Sequence, residues 1–278
     1  MATPRFSFIN YLACGSASFC STSQDNVYTS TNLASPQRPF FPYHSASSSQ
    51  AKRLVIDLGS THQTDLIAAI RANFTTIRFK GTNTNTCAGW ATPGYDSTNL
   101  TMTRNPYTGR YQILHAPTAD FPYRFIGVEI PSQVTVKEEE TESTAAAYFL
   151  IGGVWAGPST GPASHLRIPV GMRTIEPRDD VGPSHDGWTQ RLRLGKPRIR
   201  LVASRLVGVT SASPGLSDEL DTTLALDQRM RERDLFLCDL NLGDPSQAWV
   251  VRRRSDLDWT LAGRTAEGPL ELEEVTGP

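Results

Sequence analysis

Asp57 and Asp65 are carboxylates of the type that share glycoside hydrolysis, one as proton donor and the other as nucleophile or base. Ser184, His185 and Asp186 supply the residue types of a hydrolytic triad, but they are contiguous, and triad members must converge from separate elements. His44, His62, His115, His165 and His185 are scattered, with no HExxH spacing and no pair one helical turn apart. The chain has no GxSxG elbow, no phosphate loop and no dinucleotide glycine fingerprint. Asp57 also has a competing task. It closes the apolar run of RLVIDLGS just before Gly59, where a short carboxylate accepts turn amides and glycine supplies backbone freedom. These residues point away from an enzyme: Asp57 and Gly59 read as a structural turn, and no catalytic residue, cofactor or metal is assigned.

The cysteines Cys14, Cys20, Cys87 and Cys238 match no zinc or redox spacing. Reduced packing thiols are the expectation, with a four-cysteine metal or iron–sulfur site and a Cys14–Cys20 disulfide as alternatives. The net charge of −1 gives no reason to expect nucleic acid or an anionic membrane as partner. The longest apolar run, AAAYFLIGGVWAG from Ala145, is too short to span a bilayer, so membrane insertion is not expected. The N-terminus lacks a basic start followed by a long apolar stretch, so no secretion signal is read there and folding in a cytosol is expected.

The elements that would position any site are β-strands. In Arg53–Leu58, Leu54, Ile56 and Leu58 share one face, with Val55 and Asp57 on the other. This strand is expected to end at Asp57-Leu58-Gly59-Ser60. Leu66–Ile70, Thr76–Lys80 with Ile77 and Phe79 inward, Ile126–Ile130 and Tyr148–Trp155 follow, separated by turn residues. Gly81–Gly109 and Val136–Thr144 read as surface loops, the acidic triplet Glu138–Glu140 being solvated. Pro and Gly crowd Gly157–Gly187, which reads as a linker or arm. Beyond it, Trp188–Leu194, Pro197–Val209, Leu235–Leu240, Ala248–Arg253, Asp258–Ala262 and Leu270–Val275 read as strands. One helix is expected after the N-cap Ser217, running to Gln228–Arg231. The pattern predicts a mainly β chain: a jelly-roll sandwich over 1–157, an arm over 158–187, and a smaller β domain with one helix over 188–278.

The order of the first-half motifs resembles the galactose-binding-like jelly roll of coagulation-factor type C (discoidin) domains. RLVIDLGSTHQTDLIAAI is similar to that family's strand ending in Asp-Leu-Gly before an apolar strand. NLASPQRPFFPYHS upstream, and PYRFIGVEI and YFLIGGVWAG downstream, are similar to its other strands. FLIGGVWAGP leading into a Pro/Gly-rich arm and a second β domain also resembles distal-tail or tail-tip proteins of long-tailed bacteriophages, whose second domain is of the tail-tube type. That resemblance implies a structural virion protein. It would be assembled in the host cytoplasm, located in the tail, and form a homo-oligomeric ring that contacts other tail proteins. Arg252 and Arg254, with Glu271 and Glu273, would lie at the subunit interface. Host cell-surface glycans are a further expected partner, with Trp90, Tyr95 and Tyr107 of the long loop as candidate stacking residues. The alternative reading is a carbohydrate-binding module of a carbohydrate-active system.

Overall fold

The computed structural model describes residues 5–13, 17–34, 42–84, 93–105, 109–118, 120–136 and 146–159 of the first part of the chain. Of the later part it describes 170–175, 178–183, 189–194, 198–203, 208–209, 228–230, 235–239, 248–253, 260–262, 265–267 and 270–274. The protein is mainly β. In chain order the strands are β1 (Arg5–Ser7), β2 (Ser18–Ser21), β3 (Tyr43–His44), β4 (Lys52–Gln63), β5 (Leu66–Ala72), β6 (Thr76–Thr82), β7 (Tyr95–Asp96), β8 (Leu100–Thr101) and β9 (Thr103–Arg104). They continue with β10 (Tyr111–His115), β11 (Pro122–Ile130), β12 (Leu150–Ile151), β13 (Gly153–Gly157), β14 (Val170–Ile175), β15 (Arg178–Pro183), β16 (Thr189–Leu194) and β17 (Arg198–Ala203). The last are β18 (Gly208–Val209), β19 (Phe236–Asp239), β20 (Ala248–Arg253), β21 (Thr260–Ala262), β22 (Thr265–Glu267) and β23 (Leu270–Glu274). No helix among the described residues is long and apolar enough to cross a membrane.

The chain divides into two compact units, Met1–Gly161 with Phe236–Trp249, and Pro162–Leu235 with Val250–Pro278. In the first, the sheets β2-β4-β11-β6-β7 and β13-β5-β10-β9 enclose one core. Strand alternation builds it: Leu54, Ile56 and Leu58 of β4, Ile77 and Phe79 of β6, and Ile126, Val128 and Ile130 of β11 all point inward. Ile67 and Ala69 of β5, with Val154 and Ala156 of β13, line the facing sheet.

The expected end of β4 at Asp57-Leu58-Gly59-Ser60 is corrected: the strand continues to Gln63. Asp57 pairs with Phe125, whereas His62 pairs with Tyr123, so β4 carries extra residues between these rungs. Gly59, at φ 81°, absorbs the bulge. The expected single strand Tyr148–Trp155 is split at Gly152. A Cβ there would lie 2.6 Å from Arg71 Cβ, so only glycine lets the backbone pass.

The first unit also takes residues from the end of the chain. β1 pairs with β19 in the register Phe6↔Cys238, and the Phe236 ring packs 6.2 Å from Phe6 and 5.2 Å from Phe8. Trp155 Nε1 donates to Ser7 Oγ at 2.9 Å, which ties β1 to β13.

In the second unit β17 lies between β14 and β23, β20 pairs with β23, and β15 forms a hairpin with β16. The expected arm over 158–187 thus contains two paired strands. Its Pro/Gly content hides them because backbone pairing does not require apolar alternation; Pro183 stands at a strand end in a two-stranded hairpin, where a missing amide is tolerated. Of the expected helix, residues 228–230 are helical, and 210–227 lie outside the described residues.

A specific protease site inserted between Ser159 and Val170 tests this chain path. After cleavage the two fragments are expected to co-elute on native size exclusion and to separate only in denaturant, because 236–249 belong to the first unit. Fragments separating under native conditions would indicate a simple linear division instead.

Candidate functional site

Asp57 lies on the outward face of β4, opposite Phe125 and Ser18. Its carboxylate accepts a forked pair from Arg124 at 2.7 and 2.8 Å and the Gly59 amide at 2.8 Å. The Arg124 bonds, aided by the Gly59 amide and opposed by partial burial, hold its pKa below the usual carboxylate value. Arg124 occupies the irregular rung of β11 and its amide donates to Asn83 Oδ1 at 2.9 Å. The other member of the carboxylate pair, Asp65, accepts the Ser159 amide at 3.0 Å. Both carboxylates therefore have structural partners.

A different cluster is built at the rim of the sandwich. The His44 ring stacks between Tyr28 and Tyr148, with centroids 4.1 and 4.3 Å away and interplanar angles of 25° and 15°. Backbone bonds fix this row. The His44 amide donates to Tyr28 O and the Asp25 amide to His44 O, both at 2.9 Å. Asp25 Oδ1 closes the loop by accepting the Val27 and Tyr28 amides at 2.8 and 3.2 Å, which lowers its pKa. On the other side Leu150 pairs with His44, and buried Asn73 brackets the same segment: Nδ2 donates to Tyr148 O at 3.0 Å and Oδ1 accepts the Leu150 amide at 2.8 Å. Burial pushes the His44 pKa down; Asp25 pulls it up and Arg110 opposes protonation. His44 Nε2 has no hydrogen-bond partner among the described residues. Two residues beyond Leu150, Gly152 makes room for Arg71, a non-glycine residue held at φ 57°. Such strain costs on the order of 1–3 kcal/mol and clusters where a side chain must be aimed.

The residues expected from sequence fall as follows. Tyr95 packs edge-on against Phe121 at 5.0 Å, and its hydroxyl meets His115 Nε2 at 2.6 Å, so it fastens its loop to the core. Trp90, Tyr107 and Arg254 lie outside the described residues. Arg252 pairs with Glu273 of its own chain at 3.2 Å, and Glu271 stands opposite Val202. Among the described residues no three His, Cys, Asp or Glu side chains gather as metal ligands. Cys20 is disulfide-bonded, which corrects its expected reduced state; its partner lies outside the described residues. Sequence reasoning missed the row Tyr28–His44–Tyr148, since its members are far apart in sequence and no periodicity links them.

No family model matches the chain, and no curated protein matches it in sequence. Similar solved structures include a family 29 fucosidase from Ruminococcus gnavus in complex with fucose, at 12% identity and TM-score 0.40, covering 55% of this chain and 27% of that chain. The family 32 carbohydrate-binding module of NanJ from C. perfringens, in complex with galactose, has 11% identity and TM-score 0.38, covering 56% of this chain and 99% of that one. The lectin domain of lectinolysin in complex with Lewis b antigen has 11% identity and TM-score 0.36, covering 52% and 94%. The chain thus spans about a quarter of the fucosidase's length, 27%. At these values the likeness adds nothing to the two sheets described above.

The Asp57 fork yields a stability prediction. Asp57→Asn is expected to lower the thermal midpoint by roughly 2–4 °C, a modest effect because Arg124 is largely solvated. The depressed carboxylate pKa means its contribution is present at neutral pH and is lost as pH falls below about 4 through the folded value. A calorimetric pH series on both proteins checks this: the gap between their midpoints should close in acid.

Proposed function

We propose that the first unit is a glycan-binding module and that sugar docks at the rim formed by Tyr28, His44 and Tyr148, beside Arg71. The observation that carries this reading is the half-buried aromatic row with a strained arginine on the adjoining segment. Sugars present an apolar C–H face that stacks on aromatic rings, while their hydroxyls seek a few fixed polar groups. The motif order resembling galactose-binding-like domains supports the same reading. The two carboxylates considered for hydrolysis, Asp57 and Asp65, are engaged with Arg124 and with the Ser159 amide.

A glycan array probed with the full chain at neutral pH, using galactose- and fucose-terminated glycans, tests it. Tyr148→Ala and Arg71→Ala are expected to weaken the retained glycan at least about tenfold, with Tyr95→Phe leaving it unchanged. Loss of binding in Trp90→Ala or Tyr107→Ala, with Tyr148→Ala and Arg71→Ala unaffected, would place the site in the long loop. Retention of no glycan at all would overturn the reading.

The His44 environment adds a pH dependence. Its folded pKa lies below the ordinary 6.5, so the neutral ring is the form the stack favours. Stability is expected to be complete above that value and to decline as pH falls below it, because the unfolded chain takes up the proton first. His44→Phe should remove this decline, as seen in thermal midpoints between pH 7.5 and 5.

A second reading places the same chain in the tail of a long-tailed phage, assembled in the host cytoplasm, with the second unit forming a ring. What supports it is the tail-like motif order, followed in the second half by the antiparallel pairings of β14 with β17, β17 with β23 and β20 with β23. In that setting Arg254 and Glu271 would face a neighbour, and glycan binding would be peripheral. Immunolabelling of virions decides it: label at the distal tail supports the reading, and its absence from particles excludes it.

A further inference from the structure

The register of the β13-β5-β10-β9 sheet brings two guanidiniums to the aromatic rim. Tyr111 pairs with Ala72, so Arg71 and Asn73 flank that rung from β5 and Arg110 flanks it from β10. Asn73 is the residue that bonds Tyr148 O and the Leu150 amide, which puts both arginines near the row. Arg71 is aimed by its backbone. It sits at φ 57°, and its side chain runs along Gly152, two residues past the Leu150 that pairs with His44. Arg110 is fixed from the other side: its carbonyl accepts the amide of buried Asn105 at 2.7 Å, in the turn from β9 to β10. Both arginines are half-buried, and Arg110 acts on the His44 ring, opposing its protonation.

The opposing negative charge is already engaged. Asp25 is the carboxylate that acts on His44 among the described residues, and its Oδ1 accepts the Val27 and Tyr28 amides. His44 Nε2 is buried without a hydrogen-bond partner among the described residues. A buried ring nitrogen left unpaired is unfavourable, and a ligand oxygen within reach would relieve it. A guanidinium presents a planar fork matched to a carboxylate, whereas a neutral sugar offers single hydroxyls.

We propose that the rim takes an acidic sugar, a uronate or sialate whose ring stacks along Tyr148 and whose carboxylate lies between Arg71 and Arg110. This rests on the glycan-binding reading above and narrows it. The arginines supply charge-assisted bonds, His44 Nε2 bonds a ring hydroxyl, and the tyrosine meets the C–H face. A neutral hexose would use the stack alone.

The test measures binding of the full chain to matched pairs on one array. Galacturonate- and sialate-terminated glycans each stand beside their carboxyl-reduced neutral form, with sulfated galactose as a further arm. The acidic member of a pair is expected to be retained at least about tenfold better, with a preference that shrinks as salt rises. Arg110→Gln and Arg71→Met should erase the acid-over-neutral ratio, whereas Tyr148→Ala should weaken both members alike. A merely structural role for the arginines would lower both members and leave the ratio. Arg53→Gln, on the other sheet, should change neither. If a variant does not fold, the wild-type ratio still decides. Equal retention of acidic and reduced forms, or retention confined to sulfated galactose, would overturn this inference and leave the glycan-binding reading standing. Retention of no glycan would overturn both.

Discussion

The register of β4 against β11 is the constraint on which the first unit depends. Ile56 opposite Ile126 and Leu54 opposite Val128 place every second side chain of both strands in the core, and a slip of one residue would turn all of them outward. Apolar alternation alone permits slips of two. What singles out the observed register is the irregular rung, where Asp57 meets Phe125 and Arg124 bulges to fork the Asp57 carboxylate. A charged pair that forms in only one alignment is a device of specificity more than of stability, since a solvated fork contributes little net energy. Gly59 belongs to the same device, because its positive φ lets its amide turn back onto Asp57 while β4 continues to Gln63.

With that sheet fixed, the rim is assembled from side chains that replace missing backbone partners. Gln133 Oε1 accepts the Thr75 and Thr76 amides at 3.1 and 2.9 Å, and its Nε2 donates to Thr76 O, so one loop side chain completes the β5–β6 turn. Asn73 does the same for the segment that presents Tyr148. Buried backbone groups must find partners, and here the amides and carbonyls left open by turns are met by two carboxamides. The aromatic row is consequently held on both sides by backbone hydrogen bonds, through His44 to Tyr28 and through Asn73 to Tyr148 and Leu150.

The strands with inward Leu, Ile and Phe were legible because a period of two is written directly in β4, β6 and β11. The Asp57–Gly59 bond was legible too, since it is local. Its partner was half visible: the aromatic-arginine stretch PYRFIGVEI stood out, but nothing in sequence says that Arg124 turns to Asp57. The strands of 170–175 and 178–183 escaped because their pairing is a backbone property. The rim escaped for the opposite reason: Tyr28, His44 and Tyr148 each look ordinary, and only the long-range pairing of β3 with β12 makes them one object.

That dependence on distant segments extends to the chain ends. β1 finds its partner in β19, near the other terminus, and Phe6 and Phe8 are buried against Phe236. Closing so long a loop is entropically unfavourable until the intervening chain has become compact. The first unit can form its two sheets from residues 18–157, but it cannot cover these phenylalanines until residues 162–235 have been made. The interrupted chain path thus makes the completed first unit conditional on the second being present in the same molecule.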